Sequence, residues 1–133
     1  MGKIRIYDTE GVEQSFDSKL IVKATQTALT STATVTAAQL LTRVLDGTPG
    51  AAATYTLPTA ALLVGAMPDV AVGDSFLFVV NNITASTHAI TIAAGSGGTA
   101  DGTLTVAAAT DRAFLVFITG ITTAAYYVYG LGA

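Results

Sequence analysis

Two segments of the chain are apolar at nearly every position, although a strand on the surface of a lone β domain normally alternates apolar and polar residues. They are Ser-Phe-Leu-Phe-Val-Val at residues 75–80 and Ala-Phe-Leu-Val-Phe-Ile at residues 113–118. Because successive side chains of a strand point to opposite faces, each segment predicts a strand with two apolar faces. One face fits the core of the domain. The other face needs a second cover, either the chain's own short helices or a neighbouring subunit.

The residues expected on the second face are candidates for a contact between subunits. Each of the two segments contributes two such residues, and an aromatic segment at residues 125–129 contributes two tyrosines. The oligomer-interface candidates are Leu77, Val79, Leu115, Phe117, Tyr127 and Tyr129. Tyrosines in this segment also suit sugar binding, but a strand shared between a core and an interface is the simpler interpretation.

Two short helices are expected between the strands of the body. Thr36 and Gln39 have the spacing of a capping box at a helix start. The apolar residues that follow recur at helical intervals, and Asp46-Gly47 is expected to end this helix. That apolar stripe consists of Ala37, Leu40, Leu41, Val44 and Leu45. A second helical turn, capped by Thr59, is expected to continue to about residue 66.

The rest of the body alternates short strands with turns, which predicts an all-β fold. Strands are expected at residues 53–57, 88–93, 103–106, 112–119 and 125–129, with loops at Asn81-Asn82 and at the Gly-rich stretch 95–102. About eight to ten short strands at this spacing favour a single-domain β-sandwich or jelly-roll-like fold with one or two short helices and an N-terminal β-hairpin arm. Crossover helices regular enough for βαβ units are not evident, so a doubly wound fold is not expected.

The first 23 residues differ from the rest in composition and predict a separate hairpin or arm. Residues 1–23 hold eight charged side chains whose charges sum to zero, whereas the body, residues 24–133, holds only seven charged side chains. Strands at residues 3–7 and 12–16 predict a hairpin, and an isolated two-stranded hairpin is marginal in water. It therefore docks either on its own body, as an edge hairpin, or on a partner protein. The candidates for contact with a partner are Lys3, Arg5, Tyr7, Glu10, Glu13 and Phe16.

The overall composition favours an assembling protein over a catalyst. The chain is 51% hydrophobic and 11% charged, against a usual charged share of about 25%. The formal net charge of −3 gives no basic footprint for nucleic acid. No apolar run approaches the roughly 18 residues that span a membrane, and the first residues lack the apolar core of a signal peptide. We therefore expect synthesis in a cytoplasm, with neither nucleic acid nor membrane as a partner.

The residue types that carry chemistry are sparse. The single histidine, His88, is expected on a strand face with Ile90 and Ile92, which suits a structural role better than general-base catalysis. Cysteine is absent and the aspartates of the body are scattered, so no catalytic residue, cofactor or metal site is predicted. The Gly-rich stretch with Asp101-Gly102 suits either a hairpin loop with positive φ or part of a calcium site.

Four motifs of the body follow one another in a recognisable order. They are Tyr55-Thr-Leu-Pro-Thr-Ala-Ala-Leu-Leu-Val64, Val72-Gly-Asp-Ser-Phe-Leu-Phe78, Asn81-Asn82 and Ile90-Thr-Ile-Ala-Ala-Gly95. This order resembles a domain of tailed-phage virion proteins, which include capsid decoration (cement) proteins and head fibres. The likeness extends over about residues 34–129 and leaves out the N-terminal hairpin.

The resemblance implies a non-enzymatic structural protein on the surface of a virion. Proteins of this kind are typically trimeric β domains that sit on the major capsid protein, so the implied partners are that protein and further copies of this chain. Similar domains also occur in fibres, and a fibre or tail-associated receptor-binding module is the main alternative. The short chain without a long coiled coil or fibrous repeat favours a compact cement protein. A cellular self-assembling scaffold and a small hydrolase are the other classes considered.

Overall fold

The computed structural model describes residues 4–7, 13–16 and 23–132. Over these residues the protein is mostly β-structure with two short helices, which confirms the predicted all-β class. The strands are β1 (Ile4–Tyr7), β2 (Glu13–Phe16), β3 (Thr25–Leu29), β4 (Ala33–Thr34), β5 (Arg43–Gly47), β6 (Ala53–Thr56), β7 (Ser75–Asn82), β8 (Ile90–Ala93), β9 (Gly98–Gly102), β10 (Thr105–Val106), β11 (Thr110–Gly120) and β12 (Ala125–Gly130). The helices are α1 (Ala37–Leu40) and α2 (Ala60–Ala66). Of the helices in this described part, none has the length and apolarity needed to cross a membrane.

The strands are distributed over three sheets. β1 and β2 pair only with each other, in the antiparallel hairpin that the sequence predicts, with Tyr7 opposite Glu13. The large sheet has six strands in the order β3-β5-β7-β11-β12-β9. The small sheet has four strands in the order β10-β8-β6-β4. The hairpin's predicted turn at residues 9–11 lies outside the described residues.

From β3 to β8 the chain alternates between the large and the small sheet. β3, β5 and β7 enter the large sheet and are parallel neighbours there, while β4, β6 and β8 do the same in the small sheet. β10 and β11 then add antiparallel to β8 and β7. The short helices α1 and α2 lie within the connections between these parallel strands, although the sequence indicates no crossover helices regular enough for βαβ units. The strand that intervenes in each connection still distinguishes this arrangement from simple βαβ units.

One hydrophobic core is shared by the facing sides of the large and small sheets. Phe78 of β7 and Phe114 of β11 are register partners, and their rings stack with centroids 5.1 Å apart. From the small sheet, Tyr55 is buried in the same core and its hydroxyl donates to the carbonyl oxygen of Leu29, 3.1 Å away. The inner face predicted for the two apolar strands is confirmed, since all of these residues are buried: Phe76, Phe78, Val80, Phe114, Val116 and Ile118.

Both predicted helix starts are confirmed. Thr36 caps α1, and the capping box is complete because the Gln39 amide oxygen accepts from the Thr36 N–H at 2.9 Å while the Thr36 hydroxyl accepts from the Gln39 N–H at 3.1 Å. Thr59 caps α2, where its hydroxyl accepts from the N–H of Leu62 at 3.3 Å. Local side-chain chemistry thus sets where each helix begins.

The first helix is much shorter than its apolar stripe predicts, and that prediction was wrong beyond Leu40. Residues 43–47 form β5 instead, and Arg43, with φ 74°, turns the chain away from α1 and into this strand. Val44 and Leu45 then point to opposite faces of the large sheet, with Leu45 fully buried. β5 pairs with both β3 and β7. These two ladders outweigh the weak helical preference of so short a segment.

Asn81 and Asn82 lie at the end of β7 and not in the loop predicted for them. The Asn82 side chain is buried, and its amide nitrogen donates to the carbonyl oxygens of His88 at 2.9 Å and Val106 at 3.1 Å. Its amide oxygen accepts from the N–H of Thr84 at 3.4 Å. These bonds satisfy a buried polar group and tie β7 to the segments beside it. His88 itself lies before β8, so it is not on the strand where it was predicted.

Most of the Gly-rich stretch is also strand, although a loop was predicted. Gly98–Gly102 forms β9, which pairs in parallel with β12 at the edge of the large sheet. A Cβ atom on Gly98 would overlap the ring of Tyr126, so glycine here allows a close approach to that buried side chain. The positive φ angles expected from the composition occur at Gly97, 81°, and Gly102, 77°.

Candidate interaction surface

The large sheet has a second face, directed away from the core, which we call the outer face. Along β7, β11 and β12 its side chains alternate with the buried ones. The structure brings all six oligomer-interface candidates together at the centre of this one face: Leu77, Val79, Leu115, Phe117, Tyr127 and Tyr129.

Strand register arranges these side chains in rows across the sheet. Leu77, Leu115 and Tyr129 are successive cross-strand partners on β7, β11 and β12. Phe117 and Tyr127 are partners in the adjacent row, where their rings stack with centroids 5.2 Å apart and planes 19° apart. Directly opposed side chains on a sheet lie about 5 Å apart at Cβ, so these rows form one continuous apolar surface.

Two residues that the sequence did not single out extend this surface. Val44 of β5 and Ala113 of β11 are the cross-strand partners of Val79 on its two sides. Val44 had been assigned to the stripe of a helix. Its place on the outer face depends on the pairing of β5 with β7, for which the local pattern of residues carries no signal.

The outer face is open to solvent in the part of the chain that the structure describes. Leu77 is 50% exposed and Tyr129 is 43% exposed, and the other four candidates are half-buried. The helices do not cover this face, because their buried residues belong to the shared core: Leu40, Ala60 and Leu63. Of the two covers that the sequence suggested, the chain's own helices do not supply one.

A hydrogen bond joins the apolar centre to the β9 edge of the sheet. The Tyr127 hydroxyl donates to the carboxylate of Asp101 at 2.9 Å, and the other carboxylate oxygen accepts from the N–H of Gly102 at 2.7 Å. The bond from Gly102, followed by the bond from Tyr127, lowers the pKa of Asp101. The same carboxylate raises the pKa of Tyr127, chiefly because it accepts a hydrogen bond from the protonated hydroxyl. At neutral pH this corner of the face therefore holds a charged acceptor and a neutral phenol.

The far end of the outer face has an acidic and polar margin. Asp46, Asn81 and Asp111 are cross-strand neighbours on β5, β7 and β11, and the Asn81 amide donates to Asp46 at 3.2 Å. Arg43, at the other end of β5, lies over the ring of Phe76, 5.6 Å from its centroid. Arg112 donates to two backbone carbonyl oxygens. An apolar centre with a polar margin is the usual anatomy of a protein–protein interface.

The other predicted contact residues are only partly described. Arg5 and Tyr7 lie on β1, and Glu13 and Phe16 lie on β2 of the N-terminal hairpin. Two further candidates, Lys3 and Glu10, lie outside the described residues. The hairpin forms a sheet of its own, which is not part of the two sheets of the body.

The positions that were weighed for chemistry are dispersed over the fold. His88 lies in the segment before β8, and Asp101 lies on β9, where its carboxylate is engaged by Tyr127 and Gly102. Among the residues described, no group of three or more histidine, cysteine, aspartate or glutamate side chains is placed to hold a metal ion. The outer face is where the described structure brings predicted site residues together, and its chemistry is that of burial and packing.

No protein-family model, curated protein or solved structure matches this chain.

Proposed function

We propose that this chain is a structural virion protein that binds the outside of an assembled phage capsid as a homotrimer and stabilises the shell, as decoration (cement) proteins do. In this proposal the two layers of the body are a β-sandwich, which suits two sheets around one core. A jelly roll suits the body less well, because jelly rolls consist of antiparallel strands whereas most neighbours here are parallel.

The open outer face is the observation that supports the self-association in this proposal. A contiguous apolar patch on a soluble protein marks a surface that binds something, and interface cores are rich in aromatic residues and poor in charge. Phe117, Tyr127 and Tyr129 contribute three aromatic rings to this patch. The charged groups at its edges suit the hydrated rim of such a contact. Self-association of three copies through this face buries it with no other protein required.

The virion assignment rests on the order of motifs in the body, and the physics of a capsid fits it. A protein that binds an assembled lattice better than free subunits stabilises the lattice by mass action. Three copies around a symmetry axis multiply weak individual contacts by avidity. The N-terminal hairpin is the part we assign to the capsid contact, since its strand edges can pair with a strand of the capsid protein. Its charged residues would then set register more than affinity.

Binding to empty shells tests this function. Shells are assembled from the major capsid protein encoded in the same genome, and the purified chain is mixed with them and sedimented. Wild type should sediment with the shells and raise the temperature at which they disassemble. Protein that stays in the supernatant, or a genome that encodes no major capsid protein, would contradict the proposal. Binding to host cells or glycans instead would favour the receptor-binding module.

Deletion of residues 2–16 separates the hairpin from the body in the same assay. We expect the truncated protein to remain a folded trimer, because the hairpin lies outside both sheets of the body. It should no longer bind shells. Wild-type occupancy by the truncated protein would show that the hairpin is not the capsid-binding arm.

A further inference from the structure

Both helices and the start of β3 lie at one end of the body, which we call the helical end. α1 follows β4 and α2 follows β6. Since these strands are parallel neighbours, both helices lie beyond the carboxyl ends of the strands, at the same end of the small sheet. The chain enters β3 there as well, because the N–H of Thr25 donates to the carbonyl oxygen of Thr42 just after α1. Lys23, two residues before β3, lines a cleft with Leu41 and Met67 at this end.

Three exposed apolar side chains lie at the helical end. Leu62 lies on α2 and is 63% exposed, Val72 lies in the turn before β7, and Ile121 lies in the turn between β11 and β12. The backbone brings these two turns together, because the N–H of Gly73 donates to the carbonyl oxygen of Ile118. The opposite end also has exposed apolar residues, Ile83 and Leu131, but it lacks the helices.

The two ends differ in charge. Lys23, Arg43, Asp69 and Asp74 lie at the helical end, and their charges sum to zero. The opposite end carries Asp46, Asp101, Asp111 and Arg112, a balance of −2 from three negative charges and one positive. The helical end thus carries no net charge, whereas the opposite end carries a net negative charge that opposes contact with an acidic partner surface.

The helical end also contains a cleft that can receive a side chain or loop of a partner. It has a volume of about 590 Å³ and lies between α1 and α2. Its walls are apolar and small, and they include Val35, Ala37, Pro58, Ala61, Leu62 and Gly65. The outward backbone edge of β4 runs beside it, since β4 is the last strand of the small sheet.

We infer that the helical end is the base on which the body sits on its partner, and that the occupant of the cleft is an apolar segment of the protein that the N-terminal hairpin grips. This inference rests on the proposed function, in which that protein is the major capsid protein. This occupant follows from position: the chain that carries the hairpin continues into Lys23 and Thr25 at this end, so an arm bound to the shell keeps this end close to it. The acidic end then faces solvent.

Two matched pairs of variants test the base in the shell-binding assay. Leu62→Lys places a charge at the helical end, and Ile83→Lys does so at the opposite end on a side chain that is 53% exposed. Gly65→Leu fills the cleft, and Gly50→Leu adds the same side chain in the loop between β5 and β6. A Cβ atom meets nothing within 4 Å at either glycine, so both variants should fold. Oligomer mass and circular dichroism are measured for all four.

We expect Leu62→Lys and Gly65→Leu to weaken shell binding about tenfold or more, which corresponds to loss of one well-buried apolar contact. Ile83→Lys and Gly50→Leu should bind as wild type does. Undiminished binding by both helical-end variants, or loss of binding by the opposite-end variants, would overturn the inference while the proposed function stands. Failure of wild type itself to bind shells would instead overturn the proposed function, and this inference with it.

Discussion

Leu77→Asp should dissociate the oligomer and leave the subunit folded. Full burial of a leucine side chain is worth about 1.5–3 kcal/mol, and half of Leu77 remains exposed in a single subunit. Covering that half contributes about 1 kcal/mol per subunit, or about 3 kcal/mol over three copies. An aspartate adds the cost of burying a carboxylate among apolar neighbours, which is several kcal/mol. The association constant should therefore fall by well over a hundredfold, since about 1.4 kcal/mol is tenfold.

Two comparisons make this prediction specific to the outer face. Ile83→Asp alters a side chain of similar exposure just beyond the end of β7, and we expect the oligomer to persist. Phe78 is next to Leu77 on the same strand, but its side chain is fully buried in the core. The substitution Phe78→Asp should therefore unfold the subunit. The assay is light scattering coupled to size exclusion over a dilution series, with circular dichroism to confirm folding. An unchanged oligomer for Leu77→Asp, or dissociation of Ile83→Asp as well, would refute the reasoning.

Three further predictions concern the fold that presents this face. Asn82→Ala should lower the free energy of unfolding by about 2–4 kcal/mol, because it leaves one buried and one part-buried carbonyl group without their donor; a urea midpoint equal to that of wild type would contradict this. Gly98→Ala should destabilise strongly, because its Cβ would overlap a buried ring, whereas Gly65→Ala should stabilise by up to about 1 kcal/mol; thermal melts that reverse this order would show the packing to be wrong. Since hydrogen bonds lower the pKa of Asp101, its contribution to stability is present at neutral pH and is lost as the pH falls through its folded-state pKa, below the roughly 3.9 of a free aspartate. Tyr127→Phe removes one of those bonds and should flatten the acid side of a plot of melting temperature against pH, and superimposable profiles would exclude this role.

The features that local chemistry determines could be predicted from the sequence. The two apolar strands alternate between the core and the outer face as expected, because that alternation is a property of every strand. Thr36 and Thr59 begin their helices as expected, because a hydroxyl cap acts on the adjacent turn alone. The six candidates for the outer face could be predicted for the same reason, because a strand that is apolar on both sides needs a cover on each side.

The features that distant pairing determines could not be predicted in this way. Val44 and Leu45 fit a helical stripe equally well, and only the ladders to β3 and β7 draw them into a strand. Gly98–Gly102 has the composition of a loop, yet glycine is what allows this edge strand to lie against Tyr126. The cleft between the helices joins residues from β4 and α2, which lie far apart in the sequence. Such pairings join residues that are far apart in the sequence, so the pattern of any short segment does not predict them.

The mass of the purified protein in solution tests the central claim, that the outer face is covered by further copies of the chain, most directly. Size exclusion coupled to light scattering should report three times the 13.4 kDa of one chain, at all but the lowest concentrations. A single species of 13.4 kDa that persists at high concentration would contradict the account, because the apolar centre of the large sheet would then remain open to water.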